Sequence, residues 1–134
     1  SVHIRRGDYV TNKKFSKVYK LLDEKYYQRA VEFIAEKISG PGFFIFSDDI
    51  EWAKRNLDIP YPKIFVSGDN EMKDYKELIL MSLCKHNITA NSSFSWWGAW
   101  LNQNPSKIVI SPDRWFNDNT GSAKDLIPQE WVKL

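Results

Sequence analysis

The sequence has 134 residues, 43% of them hydrophobic and 15% aromatic, including six tryptophans. That is about one domain, with enough apolar mass for a core, and it excludes a disordered chain. A formal net charge of +2 announces neither a nucleic-acid nor a membrane partner, no apolar run approaches a bilayer span, and the single cysteine, Cys84, permits no internal disulfide and suits a reducing compartment.

The chain starts without Met, already inside a strand-like motif, and reads as a fragment or the last part of a longer chain. Val2 to Ile4 reads as a strand end and Arg5 to Val10 as the loop after it. Thr11 to Lys20 is basic and reads as irregular and mobile. From Asp23 a helix is expected, because Tyr27, Ala30, Val31, Ile34 and Ile38 recur at three- and four-residue steps. Gly40-Pro41-Gly42 stops it. Phe43 to Phe46 predicts a buried strand, Ser47-Asp48-Asp49 a cap, and Ile50 to Leu57 a short helix. After Pro60 and Pro62, Lys63 to Val66 predicts a strand, closed by Ser67-Gly68-Asp69-Asn70. Asp74 to Cys84 predicts a third helix with Tyr75, Leu78, Ile79 and Ser82 on one side.

Asn87 to Trp100 is the stretch around which the rest is organised. An apolar run passes through Asn91, Ser92, Ser93 and Ser95 into a tryptophan-rich segment at helical spacing. A strand, a Ser/Asn turn and a helix start aim free N–H groups, hydroxyls and partial positive charge at one spot, which favours an anion such as phosphate. Lys107 to Ile110 is the last expected strand, and the tail from Ser111 is expected to pack back irregularly. Strands alternating with helices predict a Rossmann-like α/β layer, a parallel sheet with helices on both faces. Ligands then collect at the carboxyl ends of the strands, where His3 to Asp8, Ser47-Asp48, Ser67-Gly68 and Asn91 to Ser95 all fall.

Neighbouring Arg5 and Arg6 cannot share one side of an extended backbone. One can reach a phosphate with its bidentate fork while the other pairs with a carboxylate such as Asp8; a surface salt bridge is the plainer reading of RRGD alone. No glycine-rich dinucleotide or Walker loop is present. Asp48-Asp49 is better explained as an N-cap and a first-turn acid than as a metal pair, and His3 and His86 lack the company a zinc site needs. Cys84 is expected in the core, as are at least two of Trp96, Trp97 and Trp100, with a stacking platform as the alternative. Asn87-Ile88-Thr89 and Asn91-Ser92-Ser93 fit a glycosylation pattern but fall in an expected buried strand and its turn.

His3-Ile4-Arg5-Arg6-Gly7-Asp8-Tyr9, then Glu77 to His86, then Asn91-Ser92-Ser93-Phe94-Ser95-Trp96-Trp97-Gly98-Ala99, in that order and spacing, resemble the signature of the α-1,2-fucosyltransferases, glycosyltransferase family 11. The resemblance covers nearly the whole chain. It implies a GT-B-type enzyme with two facing α/β domains, this chain being the carboxyl-terminal, GDP-fucose-binding one and the amino-terminal acceptor-side domain being absent. It implies inverting transfer of L-fucose from GDP-fucose to a galactose-containing acceptor. Arg5 corresponds to the arginine on the donor β-phosphate, His3 to a residue at the guanine side, and Ser93 to the phosphate-binding hydroxyl. Glu77 stands where relatives carry the acid that accepts from guanine, Glu here where some have Asp. Arg6, Asn91, Ser92, Phe94 and Ser95 complete the expected substrate-binding set.

With the growing negative charge of the departing diphosphate met by Arg5, Ser93 and a helix start, neither a metal nor another cofactor is expected. Asp8 is the candidate base by position, although holding an arginine competes with that task; a base from the other domain, or none, are the alternatives. The rival function is a non-catalytic GDP-sugar-binding module. A weaker one is nucleic-acid binding through the aromatics and Lys13, Lys14, Lys17 and Lys20. The expected location is cytoplasmic, peripheral at the inner membrane.

Overall fold

The computed structural model describes residues 1–66, 74–117 and 122–134. Among these, β1 (Val2–Ile4) is followed by two short helices, α1 (Gly7–Thr11) and α2 (Lys13–Val18), and then by α3 (Glu24–Lys37). β2 (Phe43–Ser47), α4 (Ile50–Asn56), β3 (Lys63–Phe65) and α5 (Asp74–Leu83) come next. β4 (Asn87–Ile88), α6 (Ser93–Trp100), β5 (Val109–Ser111) and β6 (Val132–Lys133) complete the order. The strands form a single sheet in the order β3-β2-β1-β4-β5-β6, every neighbouring pair parallel. This is the Rossmann-like α/β arrangement that the alternation predicts. Chain order reverses between β1 and β4, and it is at such a reversal that the loops leaving two adjacent strands diverge and open a crevice.

Alternation along the strands divides the interior. Val2, Ile4, Phe43, Ile45, Ile88 and Ile110 face a core built with Tyr26, Tyr27, Ala30, Val31 and Ile34 of α3 and Ala53 of α4. α3 begins as expected, with the Asp23 side chain accepting the Tyr26 N–H at 3.1 Å, and ends at Lys37; the turn beyond it passes through Gly40, whose φ of 60° favours glycine. On the other side, Ala99, Val109, Trp115, Ile127 and Trp131 form a second cluster.

Five expectations change. The loop after β1 and the basic segment behind it are helical: the Asn12 side chain accepts the Lys14 N–H at 2.9 Å, and the segment is tied to the tail by Lys20 N–H to the Trp115 carbonyl (3.1 Å) and by Asn117 Nδ2 to the Ser16 and Tyr19 carbonyls (2.8 and 2.9 Å). Those partners lie about a hundred residues away, beyond any local pattern. The tail supplies a sixth parallel strand, β6, paired with β5 through Ile110 and Val132.

The expected inner face of α5 is not the buried one. Tyr75 and Ile79 are 58% and 49% exposed, whereas Met81 is buried against Gly98 of α6, where an added Cβ would stand 3.1 Å from the Met81 Cβ. α5 is apolar on both sides, so its periodicity could not choose a face. The tryptophans of α6 are also not core: Trp97 and Trp100 are about half exposed, Trp96 is partly buried, and the small residues Ser95, Gly98 and Ala99 form the buried side. Close approach to α5 demands small residues there, which turns Trp97 and Trp100 outward while Trp96 packs beside Trp131 of the second cluster. Cys84 is only half-buried and, with Phe44, Ile64, Leu80 and Leu83, lines a groove of about 630 Å³ where the second face of the sheet is open near β2 and β3. No helix of the described residues is long and apolar enough to cross a membrane.

Candidate functional site

β1 turns Val2 and Ile4 into the α3 core, so His3 must face the opposite side of the sheet. There it is buried, its ring centroid 5.5 Å from that of Phe94, with Nδ1 lacking a hydrogen-bond partner among the described residues. Burial, reinforced by the charge of Arg5, pulls its pKa down to about 3, so the imidazole is neutral.

Past Ile4 the two arginines diverge as expected. The register pairs Ile4 with Ser47, which sets the loop after β2 beside the loop after β1. Arg5 Nη2 lies 2.8 Å from Asp8 Oδ1 and its Nη1 lies 3.2 Å from Asp48 Oδ2, with the guanidinium 5.7 Å from the Tyr9 ring. Arg6 instead sits over the Trp52 ring, its Cζ 3.9 Å from the ring centroid, and its Nε is 3.5 Å from Asp49 Oδ2. The carboxylate pairing with Asp8 therefore falls on Arg5, the residue expected to take the phosphate. Asp49 is the N-cap of α4, accepting the Trp52 N–H at 3.1 Å. The expected pair of roles shifts by one residue: Asp49 is the cap rather than a first-turn acid, and Asp48 precedes the helix and accepts the Arg6 N–H at 2.8 Å.

The mouth of α6 is held open from below. Ala90 N–H donates to the Ser95 hydroxyl at 3.1 Å, which itself reaches the carbonyls of Ala90 and Ser92 at 3.4 and 3.3 Å, so Ser95 closes the turn internally. Asn91 is buried and spends its amide on the carbonyls of Lys20 and Trp115, both at 2.7 Å, while its Oδ1 has no partner among the described residues. Ser92 is the N-cap but makes no side-chain cap bond, so the first N–H groups of α6 keep no helical acceptor. Ser93 is exposed at this mouth and Phe94 partly buried beside His3.

The two dense polar clusters meet at one edge. The Tyr9 hydroxyl donates to the Asn91 carbonyl at 2.9 Å, tying α1 to the turn after β4, and Tyr19 stacks on Tyr9 at 4.7 Å. Burial, with neighbouring Tyr19 and the carboxylates, pushes the Tyr9 phenol up to about 12 against the pull of Arg5, so it stays a donor. Glu77 is half-buried in the first turn of α5. Ser67-Gly68 lies outside the described residues. Tyr9 and Asp48 are the site neighbours that pattern reading undervalued. Ser47-Asp48 already stood at a strand's carboxyl end, which was the signal for Asp48; for Tyr9 only the tertiary contact to Asn91 could supply one.

Fold and site together define a Rossmann-like α/β domain, with charged and hydrogen-bond-donating groups gathered at the chain reversal between β1 and β4. Comparison with known proteins narrows this. The model of glycosyl transferase family 11 matches residues 1–134, and the chain belongs to that family. It is 43% identical over its full length to an O-antigen biosynthesis glycosyltransferase, WbnK, of Escherichia coli, covering 44% of that protein. It is 41% identical, again over its full length, to an alpha-1,2-colitosyltransferase of Escherichia coli, covering 47% of it. A galactoside alpha-(1,2)-fucosyltransferase 2 of Gorilla gorilla gorilla is 30% identical over 95% of the chain and 41% of its own length. The chain thus spans less than half the length of these relatives. No solved structure gives a significant match.

Proposed function

We propose that this chain is the donor-binding domain of an inverting fucosyltransferase that carries L-fucose from GDP-fucose to a galactose-containing acceptor. The observation that carries the reading is the convergence of Arg5 and the uncapped start of α6 on one edge, in a chain matched end to end by a glycosyltransferase family. The acceptor side is assigned to a second domain of the same enzyme, in keeping with relatives more than twice as long.

Transfer breaks the bond between fucose C1 and the β-phosphate oxygen while an acceptor hydroxyl attacks the opposite face and gives its proton to a base of the acceptor-side domain, turning a β-linked donor into an α-linked product. The sugar passes through oxocarbenium character as negative charge grows on the departing diphosphate. Arg5, the Ser93 hydroxyl and the free N–H groups of α6 would meet that charge, so no metal ion is invoked. The Glu77 carboxylate would accept from guanine N1–H and its amino group, a pair adenine does not offer, with neutral His3 beside the base. Asp8 serves in this scheme to hold Arg5. A colitosyl donor is the second reading, favoured by the relative of that name. A non-catalytic GDP-sugar-binding module is the alternative in kind.

Calorimetry with GDP and ADP, with and without EDTA, tests the binding half. Arg5→Ala is expected to weaken GDP binding by at least about tenfold, the size of one charge-assisted hydrogen-bonded contact. Equal affinity for ADP would remove Glu77 from base recognition, and dependence on EDTA would remove the metal-free scheme. Product analysis with GDP-fucose and GDP-colitose on a galactoside separates the two donors, and absence of transfer by a two-domain form would leave only the module.

A further inference from the structure

Arg5 is already engaged on two edges, and its two partners differ in kind. Asp8 belongs to α1, three residues along, and moves with the same segment. Asp48 reaches over from the loop after the neighbouring strand and makes the longer contact, 3.2 Å against 2.8 Å. Its other oxygen stays on the Arg6 N–H, and Gly7 is what gives the carboxylate room, since a Cβ there would stand 2.6 Å from Oδ2. A quarter of the Asp48 side chain is exposed, so a ligand can reach the same ground.

The charges do not balance. Arg5 and Arg6 face Asp8, Asp48 and Asp49, leaving the cluster one negative charge in excess. A diphosphate added to that cluster meets repulsion unless one carboxylate withdraws, and the contact held least tightly on Arg5 is that of Asp48. We infer that Asp48 is a built-in rival of the donor's diphosphate for Arg5: it holds Nη1 while the site is empty and yields it to the ligand, keeping its bond to the Arg6 N–H. After transfer the same carboxylate competes for Arg5 again and speeds the departure of the nucleoside diphosphate. The inference rests on the proposal that Arg5 grips the donor phosphates.

The test is calorimetry of wild type, Asp48→Asn, Arg5→Ala and the double variant with GDP and with guanosine. Asparagine keeps an oxygen for the Arg6 N–H and removes the charge. GDP is expected to bind Asp48→Asn about tenfold more tightly, as removal of a partly screened like charge near phosphate allows. Guanosine binding should not change, and the gain should vanish when Arg5 is alanine. Asp48→Ser, equally uncharged, replaces the Asn variant if that one folds poorly. GDP binding that is unchanged or weaker in Asp48→Asn, or guanosine tightened to the same degree, overturns the inference while an Arg5→Ala defect leaves the phosphate grip standing. If Arg5→Ala binds GDP as wild type does, the grip itself falls and the rivalry with it.

Discussion

Lowering the pH should unfold this protein partly through His3. The residue is buried, packed beside Phe94, and has a free-chain pKa of 6.5 that falls to about 3 in the fold, by burial first and by Arg5 second. The unfolded chain therefore takes up a proton that the folded chain refuses. The stability due to neutral His3 is complete above pH 6.5 and is lost as the pH falls toward 3. Each unit of difference is worth about 1.4 kcal/mol, so between pH 7 and pH 4 the residue should cost the fold roughly 3 kcal/mol. Urea unfolding of wild type and His3→Gln at pH 7, 6, 5 and 4 measures it, because glutamine does not titrate. The variant should be less stable at pH 7 but should lose roughly 3 kcal/mol less than wild type on acidification. His86, whose pKa is also lowered by burial and whose Nδ1 accepts the Ile108 N–H at 3.0 Å, is present in both proteins and cancels. Parallel loss in the two proteins, or a His3 ring proton titrating near 6.5 by NMR, would refute the reasoning.

Two further substitutions probe the frame around the site. Asn91→Ala deletes both 2.7 Å bonds that tie the turn after β4 to the Lys20 and Trp115 carbonyls; it should cost roughly 2–4 kcal/mol in urea unfolding. It should also raise hydrogen exchange at Tyr19 and Lys20, the segment those bonds hold. Gly98→Ala sets a methyl group 3.1 Å from the Met81 Cβ, tighter than ordinary contact, and should fail to show the stabilisation of about 1 kcal/mol that alanine brings over glycine in an open helix. In a Met81→Gly background, where that Cβ is gone, the same change should be clearly more favourable, and strict additivity in that double-mutant cycle would show that the α5–α6 contact does not set the close approach.

The alternation of apolar strands with capped helices was enough to state a Rossmann-like sheet, because burial on both faces of a parallel strand imposes its own pattern. The same logic located β1 to β5, the start of α3 at Asp23, a cap within Ser47-Asp48-Asp49, and three polar clusters of the described chain at the carboxyl edge. The three ordered motifs carried the family, since local residue types at fixed spacing survive in sequence even where their contacts cannot be seen. What local pattern could not decide was anything settled by a distant partner. The helical state of Lys13 to Val18 depends on Asn117 and Trp115; the exposure of Trp97 and Trp100 depends on how closely α6 approaches Met81; β6 exists because β5 offers it an edge. Most telling is Arg5, legible from the start as an anion-seeking residue. Only the register of β1 against β2 brings Asp48 within 3.2 Å of it, and a salt bridge between strands adjacent in space but forty-odd residues apart leaves no mark on either stretch alone.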